Sequence, residues 1–273
     1  MRTFRFIQLM AVISVVLSVP YLAGFINRQY NVATGKDELL IVSTQQEKKI
    51  GSSVAEKVEK KYAETDDPLV QKRIEEIGAR IAHVCERRDI AYRFKVLKAE
   101  KEEEGNNAFA LPGGYIFIFE KFVETLGSDQ AIAAVLAHEV GHVAAKHSIQ
   151  RMQSGIGANL LMLVGARLAN DRATVAEADD AINHMMFAYS REAELEADML
   201  SVRYMKAAGF SPEGVVESLV MMRDIRKNGP IRNYIYYRSH PYLSERIAAA
   251  RAELRGKSDF DSFINIPEGS LEH

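Results

Sequence analysis

His138-Glu139-Val140-Gly141-His142 brings two imidazoles and a carboxylate together inside a segment, Ser128 to Arg151, that reads as one helix. Two histidines four residues apart project from one helical face, about 40° apart at about 3.6 residues per turn. At that spacing both rings reach one Zn²⁺. A glutamate directly after the first ligand lies beside the metal without binding it, where it can act as general base toward a water. Ala131, Ile132, Val135, Leu136, Ala137 and Val140 make the helix apolar and therefore buried. Buried polar groups need partners, and one metal ion would serve His138, Glu139 and His142 together. Ser128 suits an N-cap and Asp129 the positive end of the helix dipole. Gly141 lowers helix propensity, but its missing side chain leaves room for another backbone beside the metal.

A catalytic zinc site needs a third protein ligand and an open position. On a continuous helix His147 would lie about 140° from His142 and about 180° from His138, facing away, so it reads as a surface or outer-layer residue. The better candidate is Glu194, in a second helical stretch from Ser190 to Gly209. Glu194 and Asp198 share a helical face. The first offers a ligand oxygen, the second an acceptor that holds a ligating imidazole in its tautomer. Glu192 and Glu196 read as a solvated acidic face.

Together these residues resemble the membrane-associated gluzincin zinc metallopeptidases, the family that includes HtpX and the type I CAAX prenyl endopeptidase. The resemblance runs from roughly Gln45 to Leu254 and rests on four blocks in order. They are Asn107-Ala108-Phe109-Ala110-Leu111-Pro112-Gly113-Gly114, the zinc helix, Ser190-Arg191 through Glu194 to Ala197-Asp198, and Ser239-His240-Pro241 followed by Glu245-Arg246-Ile247. The resemblance implies His138, His142 and Glu194 as zinc ligands, one Zn²⁺ per chain, Glu139 as base and Asp198 as the outer acceptor. It implies His240 and Arg246 as groups near the metal, acting in the transition state or as a switch. His240 is either an oxyanion donor or an inhibitory fourth ligand.

The positioning elements follow from periodicity. Ile50, Val54, Val58 and Tyr62, then Val70, Ile74, Ile77, Ile81 and Val84, mark two amphipathic helices. Tyr92 to Lys98 and Tyr115 to Phe119 read as strands, the second entered through the Pro112-Gly113-Gly114 turn. Tyr115, Ile116, Phe117 and Ile118 are expected to form a sheet edge that binds an extended substrate by strand addition. Pro212 to Lys227 and Pro241 to Leu254 read as closing helices. The expected fold class is α+β, mainly α, a zincin-type domain with a small sheet beside the active-site helix.

The chain has 273 residues, 47% of them hydrophobic, enough for one catalytic domain with a sizeable core. A net charge of −2 gives no electrostatic footprint for nucleic acid. The one cysteine, Cys85, reads as a buried thiol. Arg2 and Arg5 precede an uncharged apolar run from Phe6 to Ile26, long enough to span a bilayer. An uncleaved anchor is favoured over a removed signal peptide, with the catalytic domain outside the cytoplasm, in the periplasm or at the external face of a bacterial envelope. The expected division is residues 1–27 anchor or signal, 28–44 linker, 45–256 peptidase domain and 257–273 polar tail. The apolar stretch Gly155 to Ala169 and the acidic stretch Asn170 to Asp180 read either as a mobile segment at the site's mouth or as a buried helix with a surface loop. The function expected is a zinc endopeptidase for unfolded or misfolded envelope proteins. The competing reading is a zinc-stabilised chaperone-like or binding protein without turnover, for which Glu139 would be superfluous.

Overall fold

Polar residues after the apolar N-terminal run do more than link. In the computed structural model, which describes residues 27–40, 42–101, 104–153, 189–228, 236 and 239–256, the chain begins with a hairpin. Strand β1 (Asn27–Asn31) pairs antiparallel with β2 (Lys36–Leu40). The hairpin lies almost wholly within the stretch 28–44 expected as a linker. Asn31 Oδ1 accepts from the backbone N–H of Ala33 and Thr34, so the side chain that looks like linker polarity is turn chemistry. Leu40 and Val42 then enter the core.

Helix α1 (Thr44–Lys61) opens with a reciprocal Ser43–Gln46 capping box, and α2 (Pro68–Val84) with Asp67 as cap and proline in its first turn. Their apolar stripes bury Ile50, Val54 and Val58, and Ile74, Ile77 and Ile81. Three strands follow: β3 (Arg93–Leu97), β4 (Ala108–Leu111) and β5 (Tyr115–Phe119). The sheet order is β3-β5-β4, with β3 parallel and β4 antiparallel to β5.

This order overturns the expectation that Tyr115, Ile116, Phe117 and Ile118 form the edge. β5 is the central strand, and β4 and β3 are the edges. The physical reason lies in the run Tyr-Ile-Phe-Ile-Phe. Ile116 and Ile118 pack into one core with α2 and the following helices, while Phe117 and Phe119 pack into a second core under α1. A strand apolar on both faces sits in the middle of a layered structure.

The remaining elements are helices α3 (Glu120–Leu126), α4 (Asp129–Ala144), α5 (His147–Gln153), α6 (Arg191–Ala207), α7 (Glu213–Asn228) and α8 (Leu243–Leu254). The segment expected as one helix from Ser128 to Arg151 is two. α4 ends at Ala144, and Lys146 takes a left-handed backbone with φ 56° before α5 restarts at His147. The buried guanidinium of Arg87 donates to Val143 O at 2.7 Å, a carbonyl that also accepts from Lys146 N at 3.1 Å across the break. α4 packs against α6, α2, α7 and β4, so it lies at the centre of the larger core. The architecture is mainly helical α+β with a small sheet, as expected. Cys85 is buried, as read, with Sγ 3.1 Å from the Tyr92 hydroxyl. Among the described residues no helix is long and apolar enough to cross a membrane. The expected anchor or signal at 1–27, apart from Asn27, the stretches at 155–180 and the tail at 257–273 lie outside the described residues.

Candidate metal centre

Because every residue of α4 from Ile132 to Ala144 is buried, His138, Glu139 and His142 have no water to turn to. They meet α6 across Gly141. A Cβ at that position would come within 3.0 Å of Ala197 O and 3.3 Å of Ala197 Cα, so only glycine lets the two helices approach this closely. The approach brings in Glu194, whose carboxylate stands 3.5 Å from His138 Nε2 and 3.5 Å from His142 Nε2. The two imidazole Nε2 atoms are 2.9 Å apart. His240, held just before α8 by its N–H donating to Tyr236 O at 2.8 Å, places Nδ1 3.3 Å from His138 Nε2 and 3.1 Å from Glu194 Oε1.

One ligand atom from each of His138, His142, Glu194 and His240 lies within 4.8 Å of the others. Ligands on a tetrahedral zinc stand about 3.3 Å from one another, and the separations given above, from 2.9 to 3.5 Å, lie near that value within a set no wider than 4.8 Å. The donor chemistry also fits zinc: neutral imidazoles and a carboxylate. Glu139 strengthens the case from outside the ligand set. Its carboxylate is fully buried and neither oxygen has a hydrogen-bond partner. His240 Nε2 is 3.5 Å from its Oε1. Burial pushes the Glu139 pKa up. A carboxyl so placed lacks a use unless a reacting group is brought to it.

The surrounding groups set the protonation. Asp198 Oδ1 lies 2.8 Å from His138 Nδ1 and orients that ring with Nε2 inward. Arg246, 1% exposed, forks onto Asp198 through Nε and a terminal nitrogen at 2.7 and 2.9 Å. Its other terminal nitrogen pairs with Glu194 at 2.9 Å and donates to His240 O at 3.4 Å. Burial opposes a charged Glu194, but Arg246 and then His240 override it and hold the carboxyl well below its usual range. Burial and the Arg246 charge oppose a charged His138, yet Asp198 outweighs them and its pKa is pushed up to about 9. Burial, then the neighbouring His138 charge, keeps His142 well below the usual imidazole value.

The structure therefore gathers His138, Glu139, His142, Glu194, Asp198, His240 and Arg246 in one place. It separates Arg246 from the role of free oxyanion donor, since its N–H groups are directed at Asp198, Glu194, His240 O and the His138 ring. Four further residues stand out, of which His147 was expected at the surface or in an outer layer. Tyr189 stacks on the His142 ring with centroids 3.9 Å apart. Asn107, at the entry to β4, is fully buried with both side-chain polar atoms unpartnered. His147 faces His142, and Glu196 faces His147. The expectation that His147 points away assumed an unbroken helix, and the Lys146 turn brings it back.

The chain matches the model of Peptidase family M48 over residues 68–254. It is similar to the mitochondrial metalloendopeptidase OMA1 of Saccharomyces cerevisiae, 32% identical over 144 residues, covering 52% of this chain and 41% of that protein. It is similar to the beta-barrel assembly-enhancing protease of Escherichia coli K12, 24% identical over 195 residues, covering 68% of this chain and 39% of that protein. Metalloprotease LoiP of the same organism is 26% identical over 146 residues, covering 51% of this chain and 55% of LoiP. The chain thus spans about two fifths to a little over half the length of these relatives.

Proposed function

Since the chain belongs to peptidase family M48, we propose that it is a zinc-dependent endopeptidase that cleaves extended segments of unfolded envelope proteins. The observation that carries this reading is a buried Glu139 carboxylate, without a hydrogen-bond partner, on the same helix as the converging nitrogens of His138 and His142 that meet the Glu194 carboxylate. A structural metal site has no need of such a base.

His138, His142 and Glu194 would hold the metal. Zinc, when bound there, polarises a peptide carbonyl and lowers the pKa of water. Glu139 takes a proton from the attacking water and delivers it to the leaving amine. Its elevated pKa suits both halves of that transfer. Asp198 keeps the His138 proton on Nδ1, leaving Nε2 free to ligate, and Arg246 neutralises Asp198 and Glu194, which burial would otherwise disfavour as anions. His240 has two possible duties. Nδ1 lies among the ligand atoms, which favours a fourth ligand that silences the resting site. Nε2 faces Glu139, which favours a donor to the oxyanion. His240→Ala separates them: activity rises in the first case, and kcat falls about 10²–10³-fold in the second.

Substrate binding passes from β5 to β4. β4, although its four residues are buried, is the sheet edge that packs against the zinc helix, so it is the edge with which an extended chain would pair. Main-chain pairing reads little sequence and requires an unfolded segment. A relative named for β-barrel assembly accords with envelope substrates, and the apolar run from Phe6 to Ile26 with a membrane anchor and an external catalytic domain. Zinc-dependent cleavage of casein tests the activity. Casein binding without cleavage, at full zinc loading, would instead make the protein a chaperone-like binder.

A further inference from the structure

His142 has no carboxylate on its outer nitrogen, whereas His138 has Asp198. Its Nδ1 instead meets His147 Nδ1 at 2.8 Å. His147, 2% exposed, turns its other nitrogen to Glu196 Oε2 at 3.1 Å. Glu196 Oε1 ends the row 3.2 Å from Lys36 Nζ, on β2. The His142 and His147 rings sit 4.9 Å apart at 71°.

Only one arrangement of protons fits this row if His142 Nε2 ligates. A ligating Nε2 carries a lone pair, so the His142 proton is on Nδ1 and is donated to His147 Nδ1. His147 must then accept there and carry its own proton on Nε2, which it donates to the Glu196 carboxylate. The reverse polarity would leave Glu196 facing a bare nitrogen and set two lone pairs or two N–H groups against each other. We infer that His147 and Glu196 are positioning residues for the metal, a two-step relay that fixes the tautomer and ring orientation of His142 as Asp198 does for His138. The inference rests on the zinc reading above. It gives a use to Glu196, which spacing alone assigns to the surface, and to His147, which spacing assigns to the surface or an outer layer. It also accounts for the break at Lys146, since a continuous helix would carry His147 away from His142. Tyr189, stacked on the face of the His142 ring, supplies packing to it but no hydrogen bond to its nitrogen.

The test measures the zinc dissociation constant of the full-length chain by competition with a chromophoric chelator, together with the thermal midpoint of each metal-free variant. His147→Phe keeps the packing volume and removes both hydrogen bonds. It is expected to weaken zinc binding about 10–100-fold at an unchanged metal-free midpoint. Glu196→Ala is expected to weaken it in the same direction, and the double variant to be no weaker than His147→Phe alone, because links of one relay are not additive. His147→Gln, which offers an acceptor to His142 and a donor to Glu196, is expected to bind within a few-fold of the parent. Parent-like affinity in His147→Phe, additive losses in the double variant, or a loss in His147→Gln as large as in His147→Phe overturns the relay. His142→Ala distinguishes the premises: if it binds zinc as tightly as the parent, the zinc reading itself falls and the relay with it.

Discussion

Gly141 shows how much of the site depends on an atom that is absent. The α4 and α6 backbones meet there, with 3.0 Å between a hypothetical Cβ and Ala197 O. Gly141→Ala must push the helices apart by tenths of an ångström and so move His138 and His142 away from Glu194. Such overpacking costs about 1–3 kcal/mol. The expected outcome is a lower thermal midpoint together with weaker zinc binding, and parent-like zinc affinity would show that the close approach is not needed. Asp198→Asn keeps the shape but weakens the acceptor on His138. Zinc affinity should fall about 10–100-fold, read by chelator competition. The pH dependence follows from His138. Its metal-free pKa of about 9 means that a proton must leave before the ring can ligate. Proton and metal compete below that pH, so apparent zinc affinity should fall about tenfold per unit as pH drops below 9. A flat profile between pH 6 and 8 would show that His138 is already neutral in the metal-free protein. His138 and His142 were legible in the sequence because spacing on a single helix determines which side chains share a face, and Glu194 was legible through the resemblance. His147, Glu196 and Tyr189 were not, because their places depend on a turn and on a second helix.

Helix α4 illustrates the same limit at the scale of an element. Its caps, apolar content and ligand face could be read locally, but its end could not. Nothing in Ala144-Ala145-Lys146-His147 breaks a helix by propensity. The stop is a tertiary event, helped by Arg87, which reaches Val143 O while paired with Glu47 at 2.5 Å. Glu47 Oε1 in turn accepts from Gly113 N, so one buried ion pair joins α1, the end of the zinc helix and the turn that feeds β5. Arg87→Ala strands the Glu47 carboxylate in the interior and should destabilise the fold by about 3–5 kcal/mol. Urea unfolding of the two chains checks this, and a loss under about 1 kcal/mol would mean that the pair is solvated or dispensable. The sheet carries the converse lesson. The unbroken apolar run of β5 already marked it as a central strand, and reading it as an edge ignored that both of its faces were apolar.

At the scale of the whole molecule, the small sheet divides two cores, and the zinc helix runs through the larger one with its ligands shielded on every side. That arrangement keeps Glu139 out of bulk solvent and lets one arginine pair with two carboxylates. The first described strand begins at Asn27, next to the apolar run ending at Ile26. If that run is an anchor, the intact chain stays in the membrane pellet through alkaline carbonate washing, and a mature N-terminus just after Gly24 would contradict it. The roles within the metal site are separated by paired measurements of bound zinc and casein cleavage on Glu139→Gln and Glu194→Ala. Glu139→Gln should retain about one zinc per chain and cleave nothing, whereas Glu194→Ala should lose both metal and activity on dialysis. Loss of zinc from Glu139→Gln, or retention of stoichiometric zinc by Glu194→Ala, would contradict these roles.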